Sequence, residues 1–148
     1  MEIKIKKLHK DAKLPTRGSE YAAGYDLYAI APDDTDFIVI HAHETVKVDT
    51  GLAVEIPEGY FGAIYARSGL ATKQGLRPAN CCGIIDSDYR GPVIVALHND
   101  TDDIKRVKNG ERIAQLIIQP FLPVNFVETD ALTDTERGEG GFGSTGKE

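Results

Sequence analysis

Stretches of β-branched and aromatic residues recur along this chain every eight to twelve positions, with Gly, Pro, Asn or Asp between them. Such stretches suit a pleated, half-buried surface, and the residues between them supply the φ values that turns require. They fall at residues 2–8, 25–30, 37–41, 44–56, 60–66, 81–85, 92–98, 104–107, 112–119 and 124–128. Only one segment has helical character: Ser68 can cap the stretch "GLATK", and Gly75 can close it near Gln74. No long helical period follows any strand, which excludes a doubly wound α/β fold. The rhythm therefore predicts an all-β barrel or sandwich with one short helix.

A chain of 148 residues suits one domain with a sizeable core. Residues 1–128 read as the β domain, and 129–148, polar and glycine-rich, as a flexible C-terminal arm. The net charge of −6 argues against a general nucleic-acid binder, which needs a basic face. No apolar run reaches the roughly 18 residues of a membrane span. "MEIKIKKLHK" lacks the apolar segment of a signal peptide and reads as a first strand, so the expected location is cytoplasmic. Cys81 and Cys82, the only cysteines, are adjacent and make neither a disulfide framework nor a zinc site. They are expected as small buried residues in a reducing compartment.

Four stretches concentrate chemistry. In "GIIDSDYRG", residues 83–91, two carboxylates, a phenol and a guanidinium follow an apolar pair. This is either a polar hairpin or a turn that presents Asp86 to a pocket, where a fixed carboxylate serves as a general base for a water. In "ARSGLA", residues 66–71, Arg67 and Ser68 open the helix, which makes either an anion site or a capped helix with an exposed arginine. Gln115 interrupts the apolar strand "RIAQLII" and can bond a phosphate oxygen or a neighbouring backbone group. Asp26, in "AAGYDLYA", is a carboxylate in an otherwise buried strand and must find partners, structural or in a metal's water shell.

Taken in order with "RGEGGFGSTG" at 137–146, these stretches resemble the five motifs of the trimeric dUTP pyrophosphatases, or dUTPases, over essentially the whole chain. The resemblance implies a jelly-roll-like β fold, a homotrimer with active sites shared between subunits, and Mg²⁺-assisted hydrolysis of dUTP to dUMP and pyrophosphate. That activity limits uracil in DNA and supplies dUMP for thymidylate synthesis. By the same resemblance Asp86 activates the attacking water, and Tyr89 packs under the deoxyribose. Asn80 and the backbone from Gly83 to Ile85 read the uracil, while Arg67, Ser68, Gly69 and Gln115 hold phosphates. Asp26 arranges the metal through water, Arg137, Gly143, Ser144 and Thr145 close on the terminal phosphates, and Phe142 stacks over the uracil. Ala66 stands where many relatives carry proline, a departure that bears only on the rigidity of that approach.

The related dCTP deaminases carry a proton-shuttling glutamate in the strand after this hairpin. Counting places it at Ala96, which offers no carboxylate. The tail "GFGSTGK" is one residue short of a Walker A loop, but Glu148 follows Lys147 where Ser or Thr is needed and no strand leads into it. Its glycines suit instead a lid whose backbone wraps closely around a ligand.

Overall fold

The computed structural model describes residues 1–141. Twelve strands and one helix follow in order: β1 (Lys4–Lys7), β2 (Thr16–Arg17), β3 (Tyr25–Tyr28), β4 (Phe37–Ile40), β5 (Thr45–Asp49), β6 (Leu52–Glu55), β7 (Tyr60–Tyr65), α1 (Ser68–Gln74), β8 (Leu76–Pro78), β9 (Cys82–Ile85), β10 (Ile94–Asn99), β11 (Lys105–Lys108) and β12 (Arg112–Pro120). The expected all-β fold with one short helix is what forms. A five-stranded sheet runs β2-β3-β12-β7-β9, a three-stranded sheet β5-β10-β8, and two ribbons pair β1 with β6 and β11 with β4. All pairings are antiparallel.

The core collects the inward residues of these sheets, with Leu27, Ile40, Leu52, Ile56, Leu76, Leu97 and Ile113 fully buried. Each such side chain contributes about 1.5–3 kcal/mol by leaving water. Close packing also dictates a glycine: a Cβ on Gly62 would stand 2.8 Å from Ile56 Cδ1 and 3.0 Å from Leu116 Cδ1.

The structure amends several sequence expectations. The stretch 44–56 is two strands, because Gly51 takes φ 66° and its N–H donates to Asp49 Oδ1 at 2.7 Å, closing a turn between β5 and β6. Ser68 is not the N-cap. Arg67 occupies that position with extended backbone, φ −82° and ψ 127°, and Ser68 begins the helix. A side-chain cap bond is absent, whereas Gly75 closes the helix in the left-handed conformation as expected. The short strands β2 and β8 lie below the length at which alternation is visible; β8 is a sheet edge, where Pro78 is tolerated. Residues 124–128 form no strand, since they find no partner edge among the described residues, and Phe126 is 96% exposed.

Candidate functional site

β12 lies between β3 and β7 and sets Gln115 opposite Asp26 on one side and Tyr65 on the other. Gln115 Nε2 donates to the carbonyl of Ala66 at 2.8 Å, which fixes the amide under the entry to α1. Gly24 lies directly against this amide, where any Cβ would overlap Gln115 Oε1. Asp26, only 9% exposed, is the acceptor for two arginines: Arg67 Nε donates to Oδ1 at 2.8 Å and Arg112 Nη1 to Oδ2 at 3.2 Å. Arg67 has the extended backbone usual for a helix N-cap, and its side chain is tied to Asp26. Arg67 and Arg112 flank a cleft of about 320 Å³ also lined by Gly69, Lys73 and Glu111, with Ser68 exposed beside it. Three cationic side chains thus stand against two carboxylates, Asp26 and Glu111, in a chain whose net charge is −6.

A second cleft, of about 210 Å³, opens inside the hairpin 80–94. β9 pairs with β7, whereas β10 pairs with β5 and β8, so the two arms of this hairpin belong to different sheets. Their facing backbone edges line a slot with Ile64, Asn80, Gly83, Asp86, Tyr89 and Ile94. A slot edged by peptide N–H and C=O groups suits a flat ring with an alternating donor and acceptor edge. At its tip the Tyr89 N–H donates to the Asp86 carbonyl at 3.1 Å, and Tyr89 Oη donates to the Pro92 carbonyl at 3.0 Å. The tyrosine ring lies across Gly91, a position with no room for a Cβ. Arg90 Nη1 secures the turn by donating to the carbonyls of Ser87, at 2.6 Å, and Tyr89, at 2.9 Å. Ile85 anchors this arm in the core at 6% exposure, while the next residue, Asp86, is exposed. Its carboxylate accepts no hydrogen bond among the described residues, which leaves it available to a water.

The cysteines depart from expectation. Cys81 is exposed at φ 59°, in a tight turn where the Cys82 N–H donates to the Asn80 carbonyl at 2.6 Å. Cys82 is partly buried opposite Tyr65, and the thiol beside that phenol holds the Tyr65 pKa above its ordinary value.

The slot runs along β9 from Asn80 past Gly83, opposite Ile64, to Asp86, so its Asp86 tip lies at the end of β7 away from Arg67. Gly62 pairs with Ile85, so Asp86 lies level with Phe61, six residues before Arg67. At about 3.4 Å per residue this separates them by roughly 20 Å along the sheet. The sequence-predicted residues are therefore brought together as two groups, one of Asp26, Arg67, Ser68, Gly69 and Gln115, the other of Asn80, Gly83, Ile85, Asp86 and Tyr89. Arg137 joins neither; its Nε donates to the Gly140 carbonyl at 2.8 Å in an exposed turn. Phe142, Gly143, Ser144 and Thr145 lie outside the described residues. Sequence reasoning missed Arg112, together with Ile64 and Ile94, which wall the slot.

A wider groove, about 920 Å³, borders the other side of the hairpin tip and includes Ile84 and Phe121. Its charged lining is Glu55, Glu58, Asp86 and Asp88 against Arg90, a balance that repels polyphosphate.

No helix among the described residues is long and apolar enough to cross a membrane. The dUTPase family model matches residues 10–146. The deoxyuridine 5′-triphosphate nucleotidohydrolase of Hydrogenobaculum sp. is 47% identical over 146 residues, spanning 99% of both chains. That of Yarrowia lipolytica is 48% identical over 148 residues, covering 99% of this chain and 90% of the relative. A solved structure of Staphylococcus bacteriophage 80alpha dUTPase with dUpNHpp superposes with a TM-score of 0.87 at 31% identity, covering 98% of each chain. With the motif order, the fold and these full-length matches in agreement, the chain belongs to the dUTPase family.

Proposed function

We propose that this chain hydrolyses dUTP to dUMP and pyrophosphate, as a hydrolase of nucleotide metabolism whose active sites are completed between subunits of a homotrimer. The observation that carries this reading is the division of the site. The hairpin slot has the size and backbone edges for a pyrimidine but no cation to hold phosphates, while the cleft of Arg67, Lys73 and Arg112 has the cations but no slot. Within one chain about 20 Å along the sheet separates Asp86 from Arg67. A second copy that sets its charged cleft over the first copy's slot makes one complete site, and three copies around an axis make three. The exposed apolar Ile84 and Phe121 at the hairpin's flank suit such a contact.

In this assembly uracil enters the slot and is read by the backbone of Gly83 to Ile85 and by Asn80. Tyr89 packs under the deoxyribose, where a 2′-hydroxyl would clash. Asp86 accepts a proton from the water that attacks the α-phosphorus; a bond from water oxygen to phosphorus forms and the bond to pyrophosphate breaks. Arg67, Ser68, Gly69 and Gln115 hold the phosphates in line, an arrangement in which positioning and charge neutralisation account for most of the catalysis. Gln115 retains one amide hydrogen for this after its bond to Ala66. Residues 1–128 form the body, and 129–148 an arm that brings Arg137, Phe142, Gly143, Ser144 and Thr145 over the bound nucleotide. A cytoplasmic location belongs to the same reading.

The residues present fit a divalent ion carried by the substrate. No cluster of three or more His, Cys, Asp or Glu side chains able to cage a metal occurs among the described residues. Asp26 uses one site on each oxygen for Arg67 and Arg112 and keeps others for metal-bound water. Mg²⁺, which retains several waters and favours phosphate oxygens, suits that place and would neutralise charge on the departing pyrophosphate.

The decisive measurement is pyrophosphate release from dUTP, dCTP, dTTP and UTP with Mg²⁺. Cleavage confined to dUTP is expected. Ammonia release from dCTP would overturn the reading, although Ala96, at the position expected for a deaminase's glutamate, offers no carboxylate.

A further inference from the structure

Arg112 and Gln115 are three residues apart, a spacing that puts two side chains on opposite faces of a regular strand. In β12 they share a face. Arg112 pairs with Tyr28 and Gln115 with Asp26, so three steps on β12 answer two steps on β3, with the register shift between Arg112 and Ala114. The consequence is visible in the burial of two consecutive residues, Ile113 and Ala114, where regular alternation would expose one. A bulge of this kind re-aims a side chain, and here it turns Arg112 onto Asp26.

The carboxylate of Asp26 is therefore divided, Oδ1 to Arg67 and Oδ2 to Arg112. An arginine and a carboxylate with no competitor favour two parallel bonds, fork to fork. Arg67 makes only one, through Nε, and its two Nη groups donate to nothing among the described residues. We propose that Arg112 is a positioning residue that, by occupying Asp26 Oδ2, keeps Arg67 from closing bidentately on Asp26 and so leaves both Arg67 Nη groups directed to the triphosphate. The bulge in β12 exists in this scheme to set the orientation of an arginine on the neighbouring strand connection. This rests on the phosphate-holding role assigned to Arg67 above.

The test is a double-mutant cycle between Arg112→Ala and Asp26→Asn in the full-length protein, with the dissociation constants of the imido analogue dUpNHpp and of dUMP as readouts. In the wild-type background, Arg112→Ala should weaken dUpNHpp by about tenfold to a hundredfold, the size of one or two charge-assisted bonds. Binding of dUMP should change less than about twofold, whereas a general structural lesion moves both ligands alike. In the Asp26→Asn background the neutral amide no longer captures Arg67, and Arg112→Ala should then change dUpNHpp affinity less than about threefold. Unaltered dUpNHpp affinity in Arg112→Ala overturns the proposal. So does additivity across the cycle, which would mean that Arg112 acts on the phosphates independently of Asp26. If Arg112→Ala does not fold, Arg112→Gln, which keeps the stem without the charge, takes its place under the same criteria. Failure of the wild type to cleave dUTP would refute the functional reading instead, and is scored separately by pyrophosphate release.

Discussion

In the hairpin slot the groups that face the opening are backbone edges, an exposed carboxylate and a tyrosine ring fixed by its own turn. In the charged cleft they are long side chains tied to one another through a single buried carboxylate, Asp26. The first arrangement draws its precision from two sheets that diverge, and it survives changes of side chain so long as β9 and β10 stay paired elsewhere. The second draws its precision from hydrogen bonds between side chains, and one substitution re-aims several groups. Reading the edge of a base requires shape, which a backbone supplies readily; holding a triphosphate requires charge, which must be restrained before the ligand arrives.

The largest expected effect falls on the slot. Asp86→Asn should lower kcat by about 10²–10⁴, the range for loss of a general base, while leaving nucleotide affinity in place. Unchanged turnover would remove Asp86 from the chemistry and make the slot a binding element alone. The same variant tests whether the two regions work in separate copies. When Asp86→Asn and Arg67→Ala, each inactive, are unfolded together and reassembled, mixed trimers should regain activity, because some sites then draw an intact slot and an intact cleft from different chains. No recovery would place both halves of each site in one chain.

Next in size is the arm. Removal of residues 137–148 should reduce kcat/KM by about a hundredfold, the scale of a lost positioning element, while sedimentation still reports a trimer. Full activity would leave the two clefts sufficient by themselves. Smaller again, Tyr89→Ala should reduce the preference for dUTP over UTP by about tenfold, since one poorly excluded hydroxyl is worth about 1–3 kcal/mol. An unaltered ratio would show that the sugar is read in the charged cleft and not in the slot.

The smallest effect lies outside both regions and serves as a control on them. Bidentate bonding from Arg77, at 2.7 and 2.9 Å, holds the Asp100 carboxyl below its ordinary range. A depressed carboxylate pKa adds stability above the unfolded value, and that stability is lost as pH falls through the folded one. The Tm difference between wild type and Arg77→Ala should therefore be small at neutral pH, because the pair is exposed, and should vanish in acid. Activity at neutral pH should not change. A pair that mattered to either cleft would show itself there in kcat/KM.

Much of this architecture is legible in the amino-acid sequence. The spacing of apolar stretches locates ten of the twelve strands, although it merges β5 with β6 and adds a strand at 124–128 that has no partner among the described residues. The two that escape it, β2 and β8, span 2 and 3 residues, too few for alternation to register. The chemistry-bearing residues are also visible, since a carboxylate at Asp26 inside an apolar strand or an amide at Gln115 violates the local pattern. Arg112 is not. It begins a strand, where a charged residue is ordinary, and period-two alternation puts it on the wrong face.

Composition and periodicity by themselves determined the fold class, the single helix and the cast of charged and polar groups, because these follow from which side chains avoid water and which backbone conformations they tolerate. Only the tertiary structure decided who meets whom. Pairing β9 with β7 and β10 with β5 opened the slot, the bulge in β12 brought Arg112 to Asp26, and the length of β7 set Asp86 and Arg67 at opposite ends. Those outcomes depend on register between strands distant in sequence, and a shift of one residue there reverses the face of every side chain that follows.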